Sequence, residues 1–181
     1  MPPPIRVEIV PYSEDWPESA RREIERLTDA LGSVLYGVHH IGSTSVPGLA
    51  AKPIFDFMPV AADMSFIDDA VAIFERLGYR GWGELGISGR RYFTRDTESG
   101  ARVAQLHCFP HDSPHVERHL AFRNYLRAHH AIASAYQSEK LRCSDLHPSD
   151  SHAYADCKAG WIIRVEAEAL RWYRSTAPDT P

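Results

Sequence analysis

The chain has 181 residues, of which 44% are hydrophobic and 24% are charged, a composition that fits one globular domain with a core of its own. This composition excludes disorder, collagen and coiled coil, and the apolar stretches are far shorter than the roughly 20 residues of a membrane helix. The net charge of -4 predicts no extended nucleic-acid surface and no membrane contact. The N-terminus lacks the apolar segment of a secretory signal, so a cytoplasmic location is the expectation.

The first part of the chain alternates between strand and helix patterns. Val7 to Val10 is a short β-prone run, and Pro17 opens a helix whose apolar stripe ends at Gly32. Five short runs of β-branched and aromatic residues predict strands, over 36–41, 54–60, 79–82, 91–95 and 103–109. Apolar residues at helical spacing predict a second helix over 64–77.

After Pro110 the strand patterns end, and the remaining sequence predicts helices. Helices are predicted over 114–128 and 130–143, and a last helix is predicted to begin at Ser149 or Asp150 and to run towards Arg174. We therefore expect a single α+β domain over 1–174, with an α/β core over 1–110 and packed helices over 111–174. The segment 175–181 is predicted to be a flexible tail.

The cysteines carry little signal. Cys108, Cys143 and Cys157 are odd in number and lack the spacing of a disulfide framework, so reduced thiols are expected. His147 and His152 stand near two of them and are of a type that binds zinc. The tight Cys-x2-Cys spacing of a zinc knuckle is absent, so a zinc site is not predicted there.

The segment 39–57 has the most informative composition. It indicates a strand, a turn of small residues, a loop with one lysine and a second strand that bears a carboxylate. Gly42 permits a close backbone approach, and the hydroxyls of Ser43, Thr44 and Ser45 join backbone N–H groups that together can hold a phosphate. Lys52 can add a positive charge to the same anion. A hairpin-like turn with a polar tip is the alternative.

Asp56 is the second informative feature. Strand alternation places it on one face with Ile54, Met58 and Val60, where an unpaired charge would cost several kcal/mol. It therefore needs a metal ion, a lysine such as Lys52, or solvent at the margin of a sheet. A carboxylate in such a setting favours a functional role.

These residues resemble a known family. Gly42-Ser43, followed by a strand aspartate thirteen residues after the serine, resembles the signature of the nucleotidyltransferase-fold superfamily. The run from His40 to Asp56 is more closely similar to the GrpB family, whose core motif is Gly-Ser-Thr-x-Val-Pro-Gly-Leu-x-x-Lys-Pro-Ile-x-Asp. Further similar segments lie at 89–93, 106–107 and 118–127 and in the last predicted helix.

The resemblance implies a nucleotidyltransferase-like mixed β-sheet with flanking helices and a helical C-terminal part. It implies that Gly42, Ser43 and Thr44 hold nucleotide phosphates, while strand carboxylates bind a divalent metal. Such a metal neutralises charge on the transferring phosphorus and the leaving pyrophosphate. Asp56 is then the catalytic carboxylate.

Two departures from the superfamily pattern affect the metal. The second carboxylate is replaced by Met58, and a later strand carries His107 where a third acidic ligand is usual. Imidazole is a poor ligand for magnesium but a good one for transition metals. The expected cofactor is a divalent ion held by Asp56 and His107, with manganese, zinc or iron favoured over magnesium. A site that binds a nucleotide without a transfer reaction is equally consistent with these departures.

Further cationic candidates complete the predicted site. Arg90 and Arg91 follow a glycine, and one of the two is expected to clamp a phosphate, with Arg91 as the choice. His119 and Arg123 lie four residues apart on one side of a predicted helix, which we expect to face Asp56. The resemblance supports Lys158, whose long stem can reach a phosphate above the sheet.

Two functions follow from this set. The first is metal-assisted transfer of a nucleotidyl group from a nucleoside triphosphate to an acceptor. The second is a non-catalytic module that binds a nucleotide or another phosphorylated small molecule and has lost a metal carboxylate, and Met58 favours it. A third hypothesis is that the protein acts mainly as an interaction partner in coenzyme or nucleotide metabolism.

Overall fold

The computed structural model describes residues 1–176. Its centre is a mixed sheet with strands in the order β1-β2-β5-β4-β3, in which β2 and β5 are parallel and the other neighbours are antiparallel. The strands are β1 (Leu35–Ile41), β2 (Phe55–Ala61), β3 (Tyr79–Gly81), β4 (Arg91–Asp96) and β5 (Arg102–Pro110). The predicted α+β fold and its five strands are confirmed.

One face of the sheet is covered by the early helices, α1 (Trp16–Leu31), α2 (Met64–Asp69) and α3 (Val71–Arg76). The apolar stripe of α1 packs Leu27 and Leu31 into the main core, which also contains Phe57 and Leu106 of the central strands. The helix predicted over 64–77 is in fact two helices that meet at Ala70. This break lets Ile67 and Phe74 both bury completely in the main core.

The other face is covered by the C-terminal helices, α4 (Pro114–Ala128), α5 (His130–Leu146) and α6 (Ser151–Thr176). Met58, Val60 and Phe109 of the sheet form an apolar cluster against Leu120 of α4. Because α6 continues to Thr176, the first two residues of the predicted tail are helical, and its remaining residues lie outside the described part of the chain. No helix within 1–176 combines the length and the apolarity that a bilayer crossing requires.

The N-terminal segment closes the molecule beside α6. The β-prone run of residues 7–10 forms only one isolated bridge, from Val10 to Ala51. The segment instead pairs with the α5–α6 connection, where the amide of Val7 donates to the carbonyl of Pro148 at 2.9 Å. The amide of Ile5 donates to the hydroxyl of Ser151 at 3.1 Å. Residues 2–5 therefore come close to the start of α6.

The prediction of reduced thiols is wrong for two of the three cysteines. Cys143 of α5 and Cys157 of α6 form a disulfide across a separation of 14 residues, and Cys108 is free and buried in the main core. The two helices are antiparallel neighbours, so residues far apart in sequence face each other. Sequence spacing alone does not contain this juxtaposition.

Candidate functional site

A cavity of about 380 Å³ lies between the sheet face that bears Asp56 and the helices α5 and α6. Pro2, Pro3 and Ile5 of the N-terminal segment form part of its wall. It is lined by seven of the residues predicted from the sequence, namely Gly42, Ser43, Lys52, Asp56, His107, His119 and Lys158. The other three predicted residues, Thr44, Arg91 and Arg123, do not line it.

Gly42 allows the carboxylate of Asp56 to approach the backbone at the end of β1. The antiparallel register places Ile41 opposite Asp56, so the next residue meets its side chain. Gly42 has a φ of 71°, and a methyl group there would lie 2.9 Å from Cβ and Cγ of Asp56 and nearer still to Oδ2. The position therefore excludes any side chain for two independent reasons, the clash and the backbone conformation.

The turn after Gly42 is a short 3-10 segment, Ser43–Ser45, held by its own side chains. The hydroxyl of Ser45 donates to the carbonyl of Gly42 at 2.6 Å. Thr44 is buried, and its hydroxyl lies 2.9 Å from Nε2 of His40. Burial lowers the pKa of His40 to about 4. Thr44 thus ties the turn to His40 of β1, while Ser43 lines the cavity.

Arginines of α4 anchor this turn through its carbonyl groups. Arg123 donates from Nη1 to the carbonyl of His40 at 3.0 Å. Arg127 donates to the carbonyl of Ser45 from Nε at 2.9 Å and from Nη2 at 2.7 Å. Arg123, predicted to contact phosphate, therefore contacts the backbone of the motif instead, and Arg127 was not predicted. The two side chains hold the backbone on either side of Gly42 and do not line the cavity.

The carboxylate of Asp56 faces the imidazole of His107 on the neighbouring strand. Oδ1 of Asp56 lies 3.5 Å from Nε2 of His107. In the parallel pairing Asp56 is opposite Gln105, so His107 lies two residues further along on the same face. The rings of His107 and His119 are 5.7 Å apart between centroids. Burial, and then the nearby positive charges, hold the pKa of His119 well below its ordinary value.

Arg91 lies on the opposite face of the sheet. It is paired with Cys108 of β5, whose side chain is in the main core, whereas Tyr92 is paired with His107. The guanidinium of Arg91 binds Asp68 of α2 through two contacts, Nε to Oδ1 at 2.6 Å and Nη2 to Oδ2 at 2.8 Å. The expectation that Arg91 shares the cavity with Asp56 is therefore wrong.

A buried lysine on α5 is the main site residue that the sequence analysis missed. Lys140 is 1% exposed, its ammonium donates to the carbonyl of Ala50, and it lies 5.0 Å from the ring centre of Tyr136. The buried residues of α5 are spaced three, four and three apart, at Ala133, Tyr136, Lys140 and Cys143. A lysine inside such a buried stripe is the sequence signal that identifies it.

Lys140 lines the same cavity as two lysines that flank the ring of Tyr154. The ammonium groups of Lys52 and Lys158 lie 5.2 Å and 5.3 Å from the centre of the Tyr154 ring. Burial, with a contribution from the charge of Lys158, lowers the pKa of Lys140 to about 7. The pKa of Lys52 is lowered to about 8 by burial, which outweighs the opposing effect of Asp56. In both lysines burial is the largest cause, and it disfavours the charged form of the side chain.

Negative charge in the cavity is scarce. Among the described residues that line it, Asp56 is the one carboxylate, whereas Lys52, Lys140, Lys158 and Arg102 are cationic. Arg102 is in contact with Asp96, which lies outside the lining. This balance of charges suits a bound anion.

The same residues fit a pair of divalent metal ions poorly. Met58, at the position of the missing carboxylate, is fully buried in an apolar cluster, so the sheet offers Asp56 alone on this strand. Magnesium requires several oxygen ligands, and the neighbouring cations oppose its charge. Elsewhere within 1–176, Glu139 with Cys143 and Cys157 forms a group of metal-binding types, but its two sulfurs are joined in the disulfide.

The chain belongs to the GrpB family, because the family model described as GrpB protein matches residues 6–168. UPF0157 protein YqkA of Bacillus subtilis is 39% identical over 94% of this chain, and the chain spans about half (49%) of that relative. A more distant match is 24% identical and covers 91% of this chain and 46% of a dephospho-CoA kinase of Mycobacterium tuberculosis.

Solved structures agree with this assignment. The crystal structure of conserved protein GrpB from Enterococcus faecalis has a TM-score of 0.85 at 39% identity, covering 92% of this chain and 99% of that one. Cid1 in complex with its short product ApU has a TM-score of 0.52 at 12% identity, covering 76% of this chain and 43% of that one. The fold is therefore nucleotidyltransferase-like.

Proposed function

We propose that this protein binds a phosphorylated small molecule, such as a nucleotide, in the cavity between the sheet and helices α5 and α6. The observation that supports it most is the cluster of Lys52, Lys140 and Lys158 in the cavity wall. Among the described residues that line the cavity, Asp56 is the one carboxylate that opposes these charges. A buried ammonium without a counter-charge is unfavourable, and an anionic ligand supplies that counter-charge.

The cavity offers different groups to different parts of such a ligand. The three ammonium groups and the guanidinium of Arg102 can donate hydrogen bonds to the oxygens of a phosphate group. The carboxylate of Asp56 is an acceptor, so it suits a hydroxyl group of the ligand such as a ribose hydroxyl. The cavity volume of about 380 Å³ lies within the range of small-molecule sites. A phosphate ester that carries free hydroxyls satisfies both demands.

Isothermal titration calorimetry in EDTA tests this proposal with ATP, GTP, CTP, UTP and dephospho-CoA. Dephospho-CoA is included because one relative is a kinase of that name. We expect at least one ligand to bind, and Lys158→Met to weaken its binding about tenfold through loss of a charge-assisted contact. Arg171→Met is the matched control, since Arg171 is exposed on the same helix. If neither these ligands nor inorganic phosphate and pyrophosphate bind, the proposal is wrong.

Metal-assisted transfer of a nucleotidyl group to an acceptor is the second candidate function. The likeness to Cid1 in fold and the close approach of Gly42 to Asp56 favour it. The cavity does not supply a second carboxylate, which counts against it. Pyrophosphate release from each nucleoside triphosphate with added manganese, lost in Asp56→Asn, would support transfer. Ligand binding without any release would favour the binding function alone.

A further inference from the structure

A buried arginine lies behind His107 and is not part of either proposed role of the cavity. Arg90 is 6% exposed, and its Nη1 lies 3.3 Å from Nδ1 of His107. Its Nε donates to the carbonyl of Glu84 at 3.1 Å, and its Nη2 donates to the carbonyl of Leu85 at 2.7 Å. The guanidinium carbon lies 4.9 Å from the ring centre of Tyr92. Arg90 is therefore held on three sides while one N–H group faces the imidazole.

The chemistry of this contact determines which nitrogen of His107 carries the proton. A guanidinium has five N–H donors and no acceptor, and it stays protonated in proteins. The contact is a hydrogen bond only if Nδ1 of His107 is the acceptor, with its lone pair towards Arg90. The proton of the neutral ring is then on Nε2, which faces Oδ1 of Asp56 at 3.5 Å.

We propose that Arg90 is a positioning residue that holds His107 as an Nε2–H donor into the cavity and so prevents it from binding a metal ion. To bind a metal through Nε2, His107 would need the lone pair there and the proton on Nδ1. That proton would point at the N–H group of Arg90, which cannot accept it.

This inference rests on the proposed function for the identity of the ligand and refines it. His107 joins Lys52, Lys140 and Lys158 as a donor, so the ligand class becomes a phosphate ester that binds without a metal at His107. Asp56 then holds no metal ion, and its carboxylate is the acceptor for a ligand hydroxyl. Binding of such a ligand is expected to be the same in EDTA as in manganese.

Nitrogen-15 NMR of the histidine rings tests the role of Arg90 without any ligand. We expect wild-type His107 to be protonated at Nε2 and unprotonated at Nδ1, and Arg90→Lys to keep this form because an ammonium is also a pure donor. Arg90→Met removes the donor, and we expect a mixture of both tautomers. Protonation of wild-type His107 at Nδ1 would overturn the proposal.

Zinc titration gives a second readout, one that simple loss of structure would not produce. We expect Arg90→Met to bind zinc at least tenfold more tightly than wild type, and the gain to disappear when His107→Ala is added. Tight zinc binding by the wild type that depends on His107 would overturn the proposal. If the tautomer and the zinc results are as expected but no phosphate compound binds, the role of Arg90 stands and the proposed function is wrong.

Discussion

Gly42→Ala should disturb both the stability of the protein and the position of Asp56. The new methyl group would lie 2.9 Å from two carbons of the Asp56 side chain, so the carboxylate or the turn must move. At φ 71° and ψ -174°, a conformation essentially restricted to glycine, a side chain costs about 1 to 3 kcal/mol, and forced repacking adds about 1 to 3 kcal/mol. We expect the free energy of unfolding, measured in urea, to fall by about 2 to 6 kcal/mol in total.

Gly48→Ala separates the two effects. Gly48 has a φ of 76° in the same motif, but a methyl group there would meet nothing within 4 Å. It should lose only the backbone share, about 1 to 2 kcal/mol, and leave ligand affinity unchanged. Gly42→Ala should weaken the affinity about tenfold, because Asp56 is displaced. In a double-mutant cycle, Asp56→Gly should cancel the extra cost. Equal losses in both glycine variants, with equal affinity, would refute the close-packing argument.

Four further predictions concern charge and the disulfide. The pKa of Lys140 is about 7 in the folded protein, against 10.5 ordinarily. Binding of an anion should therefore take up a proton, and the affinity should fall as the pH rises above about 7. Calorimetry in buffers of different ionisation enthalpy measures this proton uptake. Without ligand, the same shift makes the unfolded state bind more protons between these values, so the free energy of unfolding should rise with pH there. Reducing the bond between Cys143 and Cys157 should lower that free energy by about 3 kcal/mol, an effect absent from the double serine variant. Glu23→Gln should lower the free energy of unfolding in urea by about 2 kcal/mol. The reason is that Glu23 accepts a hydrogen bond from the hydroxyl of Tyr79 and is paired with two arginines. A change near zero would show that this network does not stabilise the fold.

Much of the fold follows from local pattern. The strands are short runs whose β-branched and aromatic residues are typical of sheets, and each of the five was predicted to within a few residues. Helix α1 follows from its spacing of apolar residues, which buries Leu27 and Leu31 on one side. The division between α2 and α3 was not predictable, since Ala70 carries no helix-breaking signal. It follows from the shape of the core on which both helices pack.

The candidate site was predicted in part. Gly42 and Asp56 could be found because the motif places a glycine, a turn and a strand carboxylate in one continuous segment. The sequence predicts Arg91 for the cavity, but the register between β4 and β5 puts its side chain on the opposite face of the sheet. Arg90, which contacts His107, precedes Arg91 by a single position, lies just before β4 and does not line the cavity.

The sequence by itself determined the class of the fold, the order of its elements and the strand that carries Asp56, because these depend on residues within a few positions of one another. Only the tertiary structure decided which cations surround Asp56 and which cysteines form a bond. Lys140 and Lys158 come from different helices, and Cys143 and Cys157 meet only when those helices pack. Contacts between distant segments depend on register and packing angle, and no local pattern encodes either of these.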